Sequence, residues 1–361
     1  MAAKKKTAEG LSPVQQIQSY LNENKADHYN FDETPEYTVS SGSLLLDIEM
    51  SGGIRPSIIR ASGVAEGGKT SCALAFARNF QTTLDNSMAI YIKSEGRLSA
   101  DMIARSGVNT TAEKWFVYKS NIFESVLQLM RDLITNNPTD CKYFFIIDSM
   151  DAMVPKKDMD RSFEDSDKVA GGSVLSSNFL KKMALGLATK GHICFMISQV
   201  RSKVSLNPYE KSDPKLTNAS GGNALLHYSD WILEFQPRWG GDMIPPKEKK
   251  PDGHWCKVIF RKSANERTGT EVKYPIKYGR TGGRSIWVEY EIIDMLLQWD
   301  MAIAKGAWII VGDELIKELK KEGLEMESKH QGLDNFRKYL EETHKIRDYL
   351  FNKFKKALQN K

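Results

Sequence analysis

The segment Gly63–Thr70 is the feature that most constrains how this chain can fold. It fits the pattern G-x-x-x-x-G-K-[ST], which has structural meaning only between a strand and a helix. The β-branched and small residues of Ser57–Ala61 precede it. Apolar residues at helical spacing follow it, namely Ala73, Phe76, Ala77, Phe80 and Leu84. The sequence therefore predicts a strand, a tight glycine-rich loop and a helix in direct succession.

Such a loop is typical of phosphate binding. Its backbone N–H groups can close around a β-phosphate at a helix N-terminus, where they favour negative charge. The Lys69 ammonium can reach the β- and γ-oxygens, and the Thr70 hydroxyl can ligate Mg²⁺. The candidates for binding ATP and Mg²⁺ are Gly63, Val64, Ala65, Glu66, Gly67, Gly68, Lys69, Thr70 and the adjoining Ser71. The alternative is a glycine-rich turn that fits the pattern by chance.

Short apolar runs alternate with helical patterns from about Thr38 to Gly283, which favours a mostly parallel sheet covered by helices. The predicted strands are Ser57–Ala61, Met88–Ile92, Tyr143–Asp148, His192–Gln199, Asp230–Phe235, Lys257–Lys262 and Val272–Tyr278. The strands at Tyr143–Ile147 and Ile193–Ile197 are apolar on both faces, so we expect them at the sheet centre. The predicted class is α/β.

Composition and charge divide the chain further. We expect an N-terminal helix and linker at 1–37, a core at 38–283 and a small α-rich C-terminal domain at 284–361, with no further strongly apolar strand pair after Gly283. Within the first segment, Ser12-Pro13 marks a helix start, and Val14, Ile17 and Leu21 follow at helical spacing. An amphipathic helix so isolated is predicted to dock on another surface.

The bulk composition is ordinary for a globular protein. Hydrophobic residues make up 41% and charged residues 27%, with a formal net charge of +5, which is compatible with nucleic acid but does not identify it. No apolar run approaches the length of a membrane span. Four cysteines without C-x-x-C spacing indicate reduced core residues. We therefore expect a cytoplasmic protein.

Three polar residues follow predicted strands. Asp148 ends an apolar strand, where its carboxylate could hold a Mg²⁺ water beside the glycine-rich loop, although a cap or turn role is the alternative. Glu95 could polarise an attacking water, or it could be a solvated loop acid. Gln199 carries an uncharged amide that could sense a terminal phosphate.

Gln199 leads into a long stretch without periodicity, from Val200 to about Ser220. Its cations suit the backbone of single-stranded DNA, and an unstructured segment this long inside a compact domain is usually functional or disordered. A surface loop without a ligand is the alternative. The DNA-binding candidates here are Arg201, Lys203, Tyr209, Lys211 and Lys215. The charges of a second loop, 156–172, nearly cancel and indicate no partner.

Several further segments together resemble the bacterial and phage RecA/UvsX family of DNA strand-exchange recombinases, over roughly residues 38 to 310. They are Ser41-Gly42-Ser43-Leu44-Leu45-Leu46-Asp47, Val154-Pro155-Lys156, Asp165-Ser166, Ser220-Gly221-Gly222-Asn223-Ala224-Leu225 and Lys305-Gly306-Ala307-Trp308. The G-G-N-A-L segment after a basic loop is far more specific than the glycine-rich loop itself.

The resemblance implies a RecA-like ATPase core and a role for each matching residue. Glu95 would be the catalytic glutamate and Gln199 the relay from ATP to DNA. Lys262, together with Arg261, would reach the nucleotide of a neighbouring subunit. Met102 stands where the family tends to stack a tyrosine on adenine, Lys93 replaces an acid and His227 an aromatic residue. Gly221, Gly222 and Asn223 join the DNA-binding candidates.

The function implied is ATP-dependent homologous recombination. The chain would form a helical filament on single-stranded DNA, capture double-stranded DNA and exchange strands, with the N-terminal helix packed on the adjacent protomer. A single-strand-binding protein and a loading mediator would be further partners. Two alternatives stay open, a ring-forming DNA motor with the same core and an accessory protein with little hydrolysis.

Overall fold

A large, mostly parallel sheet lies at the centre of the computed structural model, which describes residues 12–33, 35–95, 98–159, 171–199 and 222–359. Six parallel strands run in the order β3-β2-β4-β5-β1-β6, and β8 then pairs antiparallel with β6, β7 and β9. The strands are β1 (Ile58–Gly63), β2 (Ser87–Lys93), β3 (Trp115–Lys119), β4 (Lys142–Asp148), β5 (Ile193–Ile197), β6 (Trp231–Phe235), β7 (Met243–Ile244), β8 (Gly253–Lys262) and β9 (Glu271–Lys277). The predicted α/β class is confirmed.

Helices connect and cover these strands. They are α1 (Pro13–Glu23), α2 (Leu44–Glu49), α3 (Lys69–Thr83), α4 (Ala100–Ser106), α5 (Phe123–Thr135), α6 (Lys156–Met159), α7 (Gly171–Thr189), α8 (Gly222–Tyr228), α9 (Val288–Gln298), α10 (Asp313–Lys321), α11 (Gly332–Glu342) and α12 (His344–Gln359). Short 3₁₀ segments lie at Lys25–Asp27, Met150–Ala152 and Gly240–Asp242. None of the helices in these ranges is long and apolar enough to cross a bilayer.

The two faces of the sheet carry separate cores, as expected where helices cover a parallel sheet on both sides. On one face Phe76 and Phe80 of α3 pack with Phe144 and Phe195 of the central strands. The other face joins Ile147 to the helices α5 and α7. The carboxyl ends of the central strands therefore meet at one edge, beside the start of α3.

The helix predicted near the N-terminus is confirmed as α1. Ser12 and Gln15 form a reciprocal capping box and Pro13 occupies the first turn. Its apolar side chains remain uncovered, with Val14 exposed by 63%, Ile17 by 60% and Tyr20 by 63%. A helix with no buried residue gains little from packing within its own chain.

A third core belongs to the C-terminal part of the chain, where α9 to α12 surround Phe336, Leu340 and Phe354. Leu44 of α2 also lies in this core, so a residue from the front of the chain helps to build it. The division at residue 283 stays a prediction. This part also holds a small antiparallel sheet of β10 (Ala302–Lys305), β11 (Trp308–Val311) and β12 (Lys329–Gln331), whose first strand buries only Ala302 and is not strongly apolar.

A carboxylate network ties this C-terminal part to β9. Glu341 of α11 accepts hydrogen bonds from Lys277 Nζ at 2.7 Å and from Trp287 Nε1 at 2.6 Å. It also pairs with Arg337 at 2.9 Å and Arg280 at 3.3 Å. One largely buried carboxylate therefore joins four donors from two regions of the chain.

The cysteines are all reduced in the structure. Cys72, Cys194 and Cys256 are buried as predicted, whereas Cys141 is partly exposed. Cys141 directly precedes β4 rather than lying within it.

Candidate nucleotide-binding and catalytic site

The glycine-rich loop lies where the sequence predicted it, between β1 and α3. Gly63 has φ of 138° and Gly68 has φ of 107°, values that favour glycine. A Cβ on Gly63 would lie 2.2 Å from the carbonyl oxygen of Phe235, so no side chain fits there. The backbone of the neighbouring strand β6 thus approaches the loop closely and helps to fix its shape.

Lys69 is folded back over this loop. Its Nζ donates to the carbonyl oxygens of Gly63 at 2.9 Å and Val64 at 2.6 Å. Burial lowers the pKa of Lys69, and the charges of Asp148, Asp151 and Glu95 oppose that effect. The ammonium is therefore held at the loop by weak carbonyl acceptors, which phosphate oxygens could replace with stronger, charge-assisted bonds.

Asp148 and Thr70 are in direct contact. The Thr70 hydroxyl donates to Asp148 Oδ2 at 2.8 Å, and the Tyr91 hydroxyl donates to the same oxygen at 2.6 Å. A hydroxyl and a carboxylate are hard oxygen ligands, and Mg²⁺ typically binds proteins through one or two carboxylates while keeping several waters and phosphate oxygens. The chemistry of this residue pair fits Mg²⁺, and its role as the metal site stays a prediction.

A small cavity of about 70 Å³ brings the predicted catalytic residues together. Lys69, Thr70, Glu95, Asp148 and Gln199 all line it. The Ser149 hydroxyl donates to Glu95 Oε1 and fixes that carboxylate beside the end of β4. The Gln199 backbone N–H donates to Asp151 Oδ2 at 2.7 Å. Residues from four separate segments therefore converge where a terminal phosphate would follow the glycine-rich loop.

A second, larger cavity of about 920 Å³ adjoins the other side of the loop. Residues 66–72 line it together with Met102, and the space is large enough for a nucleoside. The nucleotide contacts of Ser71 and Met102 stay predictions. Arg238, His254 and Tyr278 also line it. Arg238 lies in the turn after β6, His254 in β8 and Tyr278 directly after β9, and no motif near them in the sequence indicated a role.

The comparison with protein families matches residues 26–279 to the RecA N-terminal domain. The chain belongs to the RecA family. It is 26% identical to Protein RecA of Rippkaea orientalis over 326 residues, covering 89% of this chain and 83% of that protein. It is 29% identical to Protein RecA of Listeria welshimeri over 317 residues (86% and 80%) and to that of Lactobacillus johnsonii over 331 residues (90% and 81%).

The residues that the RecA resemblance assigns to a neighbouring subunit lie away from both cavities. Lys262 Nζ donates to the carbonyl oxygens of Leu226 at 3.0 Å and His227 at 2.9 Å, at the end of α8. Arg261 Nε pairs with Glu234 at 2.7 Å. Neither residue reaches the nucleotide candidates of its own chain, and their role in a RecA assembly stays a prediction.

Most of the DNA-binding candidates of this RecA-family chain lie outside the described residues. They are Arg201, Lys203, Tyr209, Lys211, Lys215 and Gly221. Gly222 and Asn223 begin α8, whose backbone alone is described at these two positions. Asp165 and Ser166 of the other loop also lie outside the described ranges. The predicted DNA contacts therefore stay predictions.

A buried arginine in β1 had no signal in the sequence. Arg60 of β1 is fully buried and its Nε donates to Ser198 Oγ at 3.1 Å. Among the described residues its two Nη atoms have no hydrogen-bond partner, and neither has Asp151 Oδ1. Burial lowers the pKa of Arg60, and the charge of Asp151 opposes that shift. An incompletely paired buried charge therefore lies directly behind Gln199.

Proposed function

We propose that this RecA-family chain is a DNA-dependent ATPase that assembles on single-stranded DNA, pairs it with homologous duplex and exchanges strands. The observation that carries the proposal is the convergence of Lys69, Thr70, Asp148, Glu95 and Gln199 on one small cavity at the end of the glycine-rich loop. A phosphate-binding loop alone would support nucleotide binding and nothing more.

Each residue of the cavity has a distinct part in the proposed hydrolysis. Lys69 and the loop N–H groups bind and orient the phosphates, while Thr70 and Asp148 hold Mg²⁺. When bound, Mg²⁺ would neutralise charge on the β- and γ-phosphates. Glu95 orients the attacking water and accepts its proton on a carboxylate oxygen, which Ser149 holds in place.

Gln199 would carry the nucleotide state to the DNA. Gln199 lines the small cavity and its backbone N–H is held by Asp151. It immediately precedes residues 200–221, which contain the predicted DNA-binding cations. A change in the bond between Gln199 and a terminal phosphate would therefore shift the base of that segment.

Assembly would complete the site. The exposed apolar face of α1 suits packing on an adjacent protomer, and a head-to-tail contact of this kind generates an open helical filament. Lys262 would then face the nucleotide of its neighbour. Hydrolysis would depend on assembly, because Lys262 does not reach the cavities of its own chain.

ATP turnover with and without single-stranded DNA tests the proposal. It should be measured for the unmodified chain, for Lys69→Ala and for Glu95→Gln. Glu113→Gln, which changes an exposed surface acid, is the control. We expect turnover that rises on adding DNA, loss of nucleotide binding in Lys69→Ala, and retained binding with turnover lowered about 10²- to 10⁴-fold in Glu95→Gln. Glu113→Gln should match the unmodified chain. Turnover equal to that of Lys69→Ala would instead indicate a recombination accessory protein that scarcely hydrolyses ATP. Closed rings in electron micrographs would favour a motor.

A further inference from the structure

Arg238 is a cation of the larger cavity for which the described residues provide no partner. Four other cations line the same cavity, and each has one: Lys69 with the loop carbonyls, Arg78 with the Gly283 carbonyl at 2.7 Å, Arg105 with Asp101 at 3.0 Å and Lys277 with Glu341 at 2.7 Å. Arg238 has neither a hydrogen bond nor an ion pair with any described residue. Nothing in the part of the chain that the structure describes therefore occupies its guanidinium group, which can bind a ligand in the cavity.

The nearby carboxylate is already used by other groups. Asp242 Oδ1 pairs with Lys257 Nζ at 2.6 Å, and Asp242 Oδ2 accepts from the Trp239 backbone N–H at 2.9 Å. These contacts fix the turn that carries Arg238 without consuming its donors. The backbone next to Arg238 is therefore held in place beside the cavity.

Two aromatic rings line the cavity together with Arg238. His254 packs on Tyr278 with ring centroids 5.4 Å apart, and both line the cavity. Burial, together with the charge of Arg238, lowers the pKa of His254 to about 4, so His254 is neutral at pH 7. Arg238 thus supplies the positive charge on a wall of flat rings, which suits a planar heteroaromatic group better than a phosphate chain.

His254 and Tyr278 line the cavity that adjoins the glycine-rich loop. Cys256 Sγ contacts the Gly67 carbonyl oxygen at 3.5 Å, which places Cys256 directly against the loop. His254 lies two residues earlier on the same face of β8, about 7 Å further past the edge of the sheet. That spacing corresponds to the sugar and base of a nucleotide whose phosphates occupy the loop.

We propose that Arg238 is a specificity-determining residue that contacts the base of the bound nucleotide, stacking on it and donating N–H groups to its acceptor atoms. The inference rests on the proposed function. Met102, which lines the same cavity, is flexible and offers no flat ring or hydrogen-bond donor. The planar guanidinium group of Arg238 supplies both, since arginine stacks on aromatic faces and presents five donors.

Two ligands distinguish phosphate binding at the glycine-rich loop from base binding at Arg238. Mg-ADP has both phosphates and a base, whereas inorganic tripolyphosphate has phosphates but no base. Displacement of a fluorescent ADP should be measured for the unmodified chain, Arg238→Ala, Arg238→Met, Arg238→Lys and, as a control, Arg284→Ala, an exposed arginine that does not line the cavity. Loss of the guanidinium should raise the Kd for ADP roughly 5- to 30-fold. The Kd for tripolyphosphate should stay within about twofold, because its contacts lie on the loop.

Arg238→Met keeps the apolar stem, and thermal unfolding of each variant shows whether the fold is retained. Arg238→Lys should not restore ADP affinity, because an ammonium does not stack as a planar fork does. An equal loss for tripolyphosphate would overturn the inference and assign Arg238 to phosphate binding. An unchanged Kd for ADP would overturn it as well. If Lys69→Ala fails to weaken either probe, the proposed function itself is refuted.

Discussion

Glu291 on α9 allows a quantitative prediction about stability and pH. Its side chain is fully buried, where Oε1 accepts from Ser43 Oγ at 2.5 Å and Oε2 accepts from the Leu44 N–H at 2.8 Å. No cation pairs with it among the described residues. Burial raises the pKa of Glu291 from 4.5 to about 8, against the lowering effect of these two hydrogen bonds. The folded chain therefore holds this proton more tightly than the unfolded chain does.

The sign of the pH effect follows from linkage. Because the folded state binds more protons than the unfolded state between pH 4.5 and about 8, the free energy of unfolding falls as pH rises through that window. At 1.36 kcal/mol per pKa unit, the loss between pH 5 and pH 8.5 is about 4 kcal/mol. That is a large part of the 5–15 kcal/mol typical of a domain.

Urea unfolding of the unmodified chain and of Glu291→Gln at pH 5.0 and pH 8.5 measures this effect. Glutamine resembles the protonated acid, so we expect similar stabilities at pH 5.0 and a variant more stable by about 2–4 kcal/mol at pH 8.5. Glu289 is the matched control, since it is equally buried on the same helix but pairs with Arg280 at 2.9 Å and Arg347 at 3.3 Å. Glu289→Gln should destabilise by about 3–5 kcal/mol at pH 8.5. A destabilised Glu291→Gln at pH 8.5 would refute the reasoning.

Three further outcomes are expected. Replacing Ile17 and Tyr20 together by serine should raise the protein concentration needed for self-association at least about tenfold in sedimentation experiments. The reason is that both side chains expose apolar area suited to burial. Unchanged assembly would show that α1 is not part of the interface. Lys69→Ala and Lys262→Ala should each be inactive alone. A one-to-one mixture of the two should recover about a quarter of normal turnover in a mixed head-to-tail filament. No recovery would place Lys262 outside the shared site. Arg60→Met should raise the urea midpoint, because its two Nη atoms are buried without a partner among the described residues, at a cost of about 1–3 kcal/mol for each atom, whereas the lost bond to Ser198 is worth about 1.5–3 kcal/mol. A clear loss of stability would indicate that Arg60 is better paired than its contacts show.

The sequence was most informative where one motif fixes both local conformation and chemistry. The glycine-rich loop, the strands around it and the residues that follow β2, β4 and β5 could be predicted because parallel strands deliver their carboxyl ends to one edge. The small strands of the C-terminal part could not. In β10 only Ala302 is buried, so its pattern is neither alternating nor continuously apolar.

The residues missed at the site share a different cause. Arg238 and Arg60 are distinguished by guanidinium nitrogens that have no partner among the described residues. A missing partner leaves no pattern in the local sequence. Residues from distant strands and turns set their environments. Asp242 and Lys257 fix the turn next to Arg238, while Ser198 and Asp151 lie beside Arg60. Periodicity and spacing report on neighbours along the chain, whereas these charges depend on neighbours in space.

The carboxylate of Glu341 has a practical consequence for shortened versions of this protein. It belongs to α11, yet one of its donors, Lys277, lines the larger cavity, and the adjoining residues Tyr278 and Gly279 line it too. Deleting the C-terminal helices would leave Lys277, Arg280 and Trp287 without their shared acceptor, and half-satisfied polar networks are unfavourable. A truncated chain with weak nucleotide affinity would therefore say little about what the C-terminal helices themselves bind.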